Sequence, residues 1–232
     1  MEHRVFKQVP RVLFGDGCFD ELKNLVEKYS KKSYIVYLLD HAHKASFISE
    51  RIKKNKGDYL CFIDTTNEPK VSQVDELKDK ILNLKNNQIP DLIVGIGGGS
   101  TLDISKAISV ILTNEGSASL YQGWDLVKNK PVPKIGIPTL SGTGSESSRT
   151  AVLTGDSKKF GINSDYSMFD LVMLDPELIR SAPREQRFYT AMDCYIHCLE
   201  SLEGSFINSF GRIQAESALN ACEQLFLNKI GT

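Results

Sequence analysis

Two loops of small residues and one helix carry the residue types that could do chemistry. The first loop lies in Asp91 to Asp103, where an apolar run enters Gly97-Gly98-Gly99 and a helical pattern opens at Ser100. Glycines admit a pyrophosphate close to the backbone. A helix N-terminus adds unpaired N–H groups and the positive end of the helix dipole. Ser100 is expected to cap that helix, with Asp103 as the acid of its first turn. The pattern departs from G-x-G-x-x-G, because Ser100 stands at the third glycine's place, and a tight strand-to-helix turn would use the same residues. Glu115 lies near the downstream distance of a ribose-binding acid, but in a polar turn.

The second loop, Pro138 to Ser148, follows another short apolar run. Thr139, Ser141, Thr143, Ser145 and Ser148 offer hydroxyls, while Gly142 and Gly144 remove bulk. A polar surface loop would have the same composition. Two such loops after two parallel strands instead point to one ligand crevice at the sheet's carboxyl edge. Asp40 ends an earlier strand, where a carboxylate can accept from both ribose hydroxyls and repel a 2′-phosphate, or can simply cap a helix. His41 and His43 beside it read as loop residues. Lys159 could reach a phosphate or ribose, or could be a solvated lysine.

The helix is Thr190 to Glu200. Asp193 and His197 are four residues apart and share one helical face. A carboxylate and an imidazole so spaced can bind one divalent cation, iron(II) or zinc, or can pair with each other. Cys194 and Cys198 repeat the spacing one position round and suit helix packing. Glu200 either supports the site or faces solvent.

These residues need a scaffold, and the pattern supplies one. Strands are expected at Val5–Phe14, Ser33–Leu39, Tyr59–Ile63, Leu92–Ile96 and Lys134–Pro138. Helices are expected between them at Phe19–Tyr29, Ala45–Lys54, Val71–Leu84 and Leu102–Leu112. The alternation predicts an α/β fold, a Rossmann-like parallel sheet with helices on both faces. Past Pro183 the strand pattern stops, and Glu185–Leu202 and Phe210–Phe226 read as two helices. The expected division is a dinucleotide-binding domain over 1–183 and the start of a helical metal-binding domain over 184–232.

Composition narrows the function classes. Hydrophobic residues make up 41% and charged residues 25%, enough for a packed core and too apolar for disorder. Lys+Arg number 28 against 29 Asp+Glu, so the charge gives no case for nucleic acid or a membrane surface. The longest apolar run, Tyr34 to Leu39, is too short to span a bilayer. Five scattered cysteines argue against a disulfide framework and for a reducing cytoplasm.

In this order the segments resemble the iron-containing alcohol dehydrogenase family. The resemblance rests on Phe14-Gly15-Asp16-Gly17, on Gly97-Gly98-Gly99-Ser100 with Asp103 and Lys106, and on Pro138 to Glu146. Leu174-Asp175-Pro176 and Asp193, His197 and Glu200 complete it. Within that family, Tyr121 to Asp125, Ser147 to Thr150, Asn163 to Asp165 and Met192 to Cys198 look most like the branch that oxidises the C8 alcohol of 3-deoxy-D-manno-octulosonate for lipopolysaccharide.

The resemblance implies a dehydroquinate synthase-like architecture, an NAD-type cofactor and a divalent metal, Fe2+ or Zn2+. It implies a small-molecule substrate, sugar acid or alcohol, and a homodimer. Gly97, Gly98, Gly99 and Ser100 would hold the pyrophosphate. Thr139, Ser141, Thr143 and Ser148 would line the cofactor path, Lys159 would touch it, and Asp40 would favour NAD over NADP. Asp193 and His197 would hold the metal, and Arg149 would meet a substrate carboxylate.

Leu140 replaces the usual second threonine and Glu68-Pro69 the usual Asn-Pro. The family's metal takes two further histidines from the later helical domain. Here only His3, His41 and His43 accompany His197, so the chain is expected to be C-terminally truncated. The alternatives are a generic alcohol or lactaldehyde dehydrogenase and a nucleotide-binding fragment without activity.

Overall fold

The computed structural model describes residues 7–29, 33–155, 158–204 and 208–227. His3 and Val5 lie outside the described residues. Packing divides the chain into two compact units, Met1–Thr139 with Ser145–Arg180, and Leu140–Gly144 with Ser181–Thr232.

The first unit is built on β1 (Val12–Phe14), β2 (Ile35–Asp40), β3 (Tyr59–Ile63), β4 (Leu92–Gly97), β5 (Gly123–Trp124), β6 (Lys134–Pro138), β7 (Thr150–Thr154), β8 (Lys159–Asn163) and β9 (Leu171–Leu174). Its helices are α1 (Leu22–Glu27), α2 (Phe47–Arg51), α3 (Val71–Leu84), α4 (Gly99–Ile111) and α5 (Pro176–Arg180). Six strands form a parallel sheet in the order β1-β9-β6-β4-β2-β3, the α/β arrangement expected.

Alternate residues of β2 enter opposite apolar layers. Val36 and Leu38 pack with Val74 and Ile81 of α3 and with Ile104 and Ile108 of α4. Ile35, Tyr37 and Leu39 pack with Val26 of α1, Ile48 of α2 and Leu178 of α5. Burial on both faces is why this strand reads as an unbroken apolar run.

Several expectations needed correction. The helix expected over Ala45–Lys54 shrinks to five residues. That over Phe19–Tyr29 opens with a 3-10 turn, Cys18–Glu21. Of the strand expected over Val5–Phe14, only Val12–Phe14 is a strand among the described residues. A second sheet, β5-β8-β7, and strand β9 were not anticipated. In β7 only Ala151 and Leu153 turn inward and in β8 the central inward position is Gly161, so neither segment shows a strong apolar period.

The second unit holds α6 (Arg184–Glu203) and α7 (Ser209–Leu227), close to the expected helices. Phe226 sits edge-on to Phe188 and Tyr195, with centroids 6.1 and 6.3 Å apart. No helix among the described residues is long and apolar enough to cross a membrane.

Candidate functional site

From β2 the chain steps outward to β3, then crosses back to place β4 on the other side of β2. That reversal leaves a crevice outside the carboxyl ends of β2 and β4. Asp40 ends β2, and Gly97 and Gly98 end β4 and cap α4.

Asp40 is held from three sides. Its carboxylate accepts from the Ala42 N–H at 3.0 Å, from Thr65 Oγ1 at 3.1 Å and from Thr101 Oγ1 at 3.3 Å. The first bond makes it the cap of the 3-10 turn His41–His43. Thr65 and Thr101 were not foreseen, because their convergence depends on β3 and β4 flanking β2.

Gly97 is buried in the sheet. A Cβ on it would lie 2.7 Å from Thr101 Cβ and 2.9 Å from Asp40 Cβ, so glycine here lets α4 close onto the strand end. Ser100 does not cap α4. Gly98 is the N-cap, no side chain bonds the first-turn amides, and Ser100 lies inside the helix. The cause is the extended Gly98, which starts the helix a turn earlier than the apolar pattern does. Gly99 and Ser100 are part-exposed at that end. Thr139 donates its N–H to the Gly97 carbonyl at 3.0 Å, and its hydroxyl bonds His43 Nε2 at 3.0 Å. Burial pushes the His43 imidazole below its ordinary value, against the pull of Asp40.

Asp103 is not an acid of the first turn either. It accepts from Ser145 Oγ at 2.6 Å and from the Val152 N–H at 3.1 Å, and pairs with Lys106 Nζ at 3.0 Å. Lys106, wholly buried, also donates to the carbonyls of Ser145 and Thr150. Burial lowers its ammonium, with Asp103 opposing. An Asp–Lys pair three apart on α4 thus clamps the loop into β7. Ser148 Oγ accepts from the Thr150 N–H at 2.9 Å.

Lys159 is not free in solvent. Its Nζ bonds Glu68 Oε1 at 2.5 Å, and that lysine holds the Glu68 carboxyl below the ordinary range. Arg149 pairs with Asp125 through one Nη and with Asp165 at 3.3 Å through the other. The guanidinium expected to meet a substrate carboxylate therefore already holds two.

In the second unit Asp193 and His197 share one face of α6, with Oδ2 and Nδ1 3.8 Å apart and both side chains about half exposed. His197 and Glu200 line a cavity of about 620 Å3 with Thr143 and Gly144. Among the described residues no group of three or more His, Cys, Asp and Glu is arranged to hold a metal. The aspartate–histidine pair offers the oxygen and nitrogen donors that fit one side of an iron site. Ser141 and Thr143 are exposed in the loop 140–144, whose Gly142, at φ +146°, rests on the backbone of Thr190. Cys194 and Cys222 meet across α6 and α7 at 3.7 Å, and burial first raises Cys222 to about 11.

Fold and site together define a doubly wound α/β unit followed by a helical unit carrying an Asp–His pair. Residues 10–176 match the family model described as iron-containing alcohol dehydrogenase. The chain is 33% identical over 201 residues to the sulfoacetaldehyde reductase of Bilophila wadsworthia, across 84% of this chain and 51% of that protein. It is 29% identical over 205 residues to long-chain-alcohol dehydrogenase 1 of Geobacillus thermodenitrificans, across 83% and 51%. The crystal structure of sulfoacetaldehyde reductase from Bifidobacterium kashiwanohense in complex with NAD+ superposes with a TM-score of 0.81 at 26% identity, covering 96% of this chain and 59% of that one.

The chain belongs to the iron-containing alcohol dehydrogenase family. It spans about half the length of the curated relatives it matches.

Proposed function

We propose that this chain supplies the NAD-binding part and the first metal ligands of an oxidoreductase that oxidises a primary alcohol to the aldehyde. The reading is carried by the crevice at the β2–β4 reversal, where a fixed Asp40 carboxylate faces the uncapped N-terminus of α4. Asp40 would accept from the adenosine ribose and exclude a 2′-phosphate. Gly98, Gly99 and Ser100 would receive the pyrophosphate, with Gly97 acting through packing. Thr139 and Ser148 would line its path and Lys159 would reach it by leaving Glu68. Ser141 and Thr143 take the same role from the resemblance alone.

Asp193 and His197 would hold Fe2+ or Zn2+. Such an ion polarises an alcohol oxygen when bound, and the nicotinamide accepts hydride. Neither residue needs to move a proton for this; their part is to hold the ion and orient what it binds.

For the substrate we propose the C8 alcohol of 3-deoxy-D-manno-octulosonate. Three segments that carry the branch resemblance meet in one network, since Arg149 joins Asp125 to Asp165 and Thr150 Oγ1 bonds Asn163 Oδ1 at 2.6 Å. A generic alcohol or lactaldehyde substrate is the alternative within the same chemistry. Five free thiols fit the cytoplasm. A homodimer would cover the edge strand β1, where Val12 and Phe14 are exposed.

The test is equilibrium titration with NAD and NADP. NAD should bind at least ~tenfold more tightly than NADP, and Asp40→Asn should erase most of that preference. Equal affinity for the two nucleotides in the unaltered chain rules the reading out. A second reading, nucleotide binding without turnover, is favoured by the lack of a third metal ligand among the described residues. Iron titration with an alcohol-oxidation assay separates the two.

A further inference from the structure

The amino end of β6 lies about 13 Å along the strand from the end that leads into Thr139. Here the first unit holds a half-open cavity of about 320 Å3. Lys7, Arg11, Lys130 and Lys134 line it against two carboxylates, Asp165 and Asp170. Both carboxylates are engaged already. Asp165 pairs with Arg149 at 3.3 Å, and Asp170 Oδ2 accepts from the backbone N–H of Lys134 at 2.8 Å.

The cations are less well matched. Arg11 and Lys130 make no ion pair among the described residues. Lys134 is 1% exposed, yet among the described residues its Nζ bonds only the Tyr166 carbonyl, at 2.7 Å. An ammonium carries three donors, and burying one so sparsely bonded is costly.

The hydroxyl of Tyr29 on the cavity wall is buried with no partner among the described residues. Buried polar groups are rarely left so, and this one lines a cavity with an excess of positive charge. The rim adds Pro10, Pro131 and Pro133, which offer no N–H. Recognition must therefore come from the side chains.

We propose that this cavity binds a small oxyanion, of the phosphate or carboxylate class, held by Lys134, Arg11 and the Tyr29 hydroxyl. The ligand would give Tyr29 an acceptor and Lys134 further acceptors beside the Tyr166 carbonyl. The site stands at the opposite end of β6 from the nucleotide crevice and needs no nucleotide.

Calorimetric titration of the 232-residue chain with inorganic phosphate, and separately with citrate, tests it at constant ionic strength against chloride. At least one should bind saturably, and Tyr29→Phe and Arg11→Ala should each weaken it ~tenfold. Tyr29→Phe removes a hydroxyl that bonds nothing among the described residues, so its melting point should equal or exceed that of the unaltered protein. Phosphate alone responding assigns the site to phosphate esters, and citrate alone to polycarboxylates. No binding above chloride, or binding that both variants leave unchanged, overturns the proposal.

Discussion

Gly142 rests directly on the carbonyl of Thr190, one turn before Asp193 on α6, so closely that a Cβ would overlap that oxygen. Its φ of +146° is also one that side-chain-bearing residues rarely adopt. Gly142→Ala should therefore destabilise the second unit by ~2–3 kcal/mol and disturb α6. Denaturant unfolding followed by tyrosine fluorescence checks this. A melting curve superimposable on that of the unaltered chain would show that the loop stands clear of the helix.

Lys106 serves three groups from a fully buried position. Lys106→Met leaves Asp103 without its cation and takes the ammonium away from two carbonyls, a loss of about 3–5 kcal/mol. Removing Asp103 as well, as Asp103→Asn with Lys106→Met, should cost less than the two single losses together. A double-mutant cycle on urea unfolding reads that coupling; additive losses would mean that the two residues act apart.

Burial lowers the Lys134 ammonium to about 8, from an ordinary 10.5. Asp170 opposes that shift, while Lys106 and Lys7 add to it. Between those values the unfolded chain binds more protons than the folded one, so this group makes stability rise with pH from about 8 to 10.5. Below 8 both states are protonated and the contribution is flat. Lys134→Met should remove a gain on the order of 3 kcal/mol across the window. Unfolding free energies of both proteins at pH 7, 8, 9 and 10 measure it, and parallel curves would contradict the assignment.

Arg149 is shared between Asp125 and Asp165 rather than free. Arg149→Ala should then lower turnover of a sugar acid and of a simple alcohol alike, through movement of β7 and β8. Its own ion pairs, part-exposed, are worth only ~1 kcal/mol or less. A selective loss of the acid, in kcat/KM, would restore a substrate-binding role to this residue.

The strands buried on both faces, Ile35–Asp40 and Leu92–Gly97, were legible in the sequence because their apolar runs are nearly unbroken, and Tyr59–Ile63 and Lys134–Pro138 also fall on the expected residues. Asp193 and His197 were legible because helical spacing alone places them together. The support of Asp40 was not, since Thr65 and Thr101 lie 25 and 61 residues away and meet it only through strand order. The role expected of Asp103 lies within its own helix, whereas its partners, Ser145 and Val152, come from the far side of a loop. Local patterns carry local roles; tertiary partners outbid them wherever a buried charge must find company.

The Asp103–Lys106 clamp also bears on motion. The small sheet β5-β8-β7 contains one strand of two residues and has little core of its own. It is fastened to α4 by a charge that cannot be exposed on one side alone. Opening of β7 and loosening of the middle of α4 should accordingly be a single event, so the Val152 amide and the central α4 amides should exchange with solvent at one common free energy.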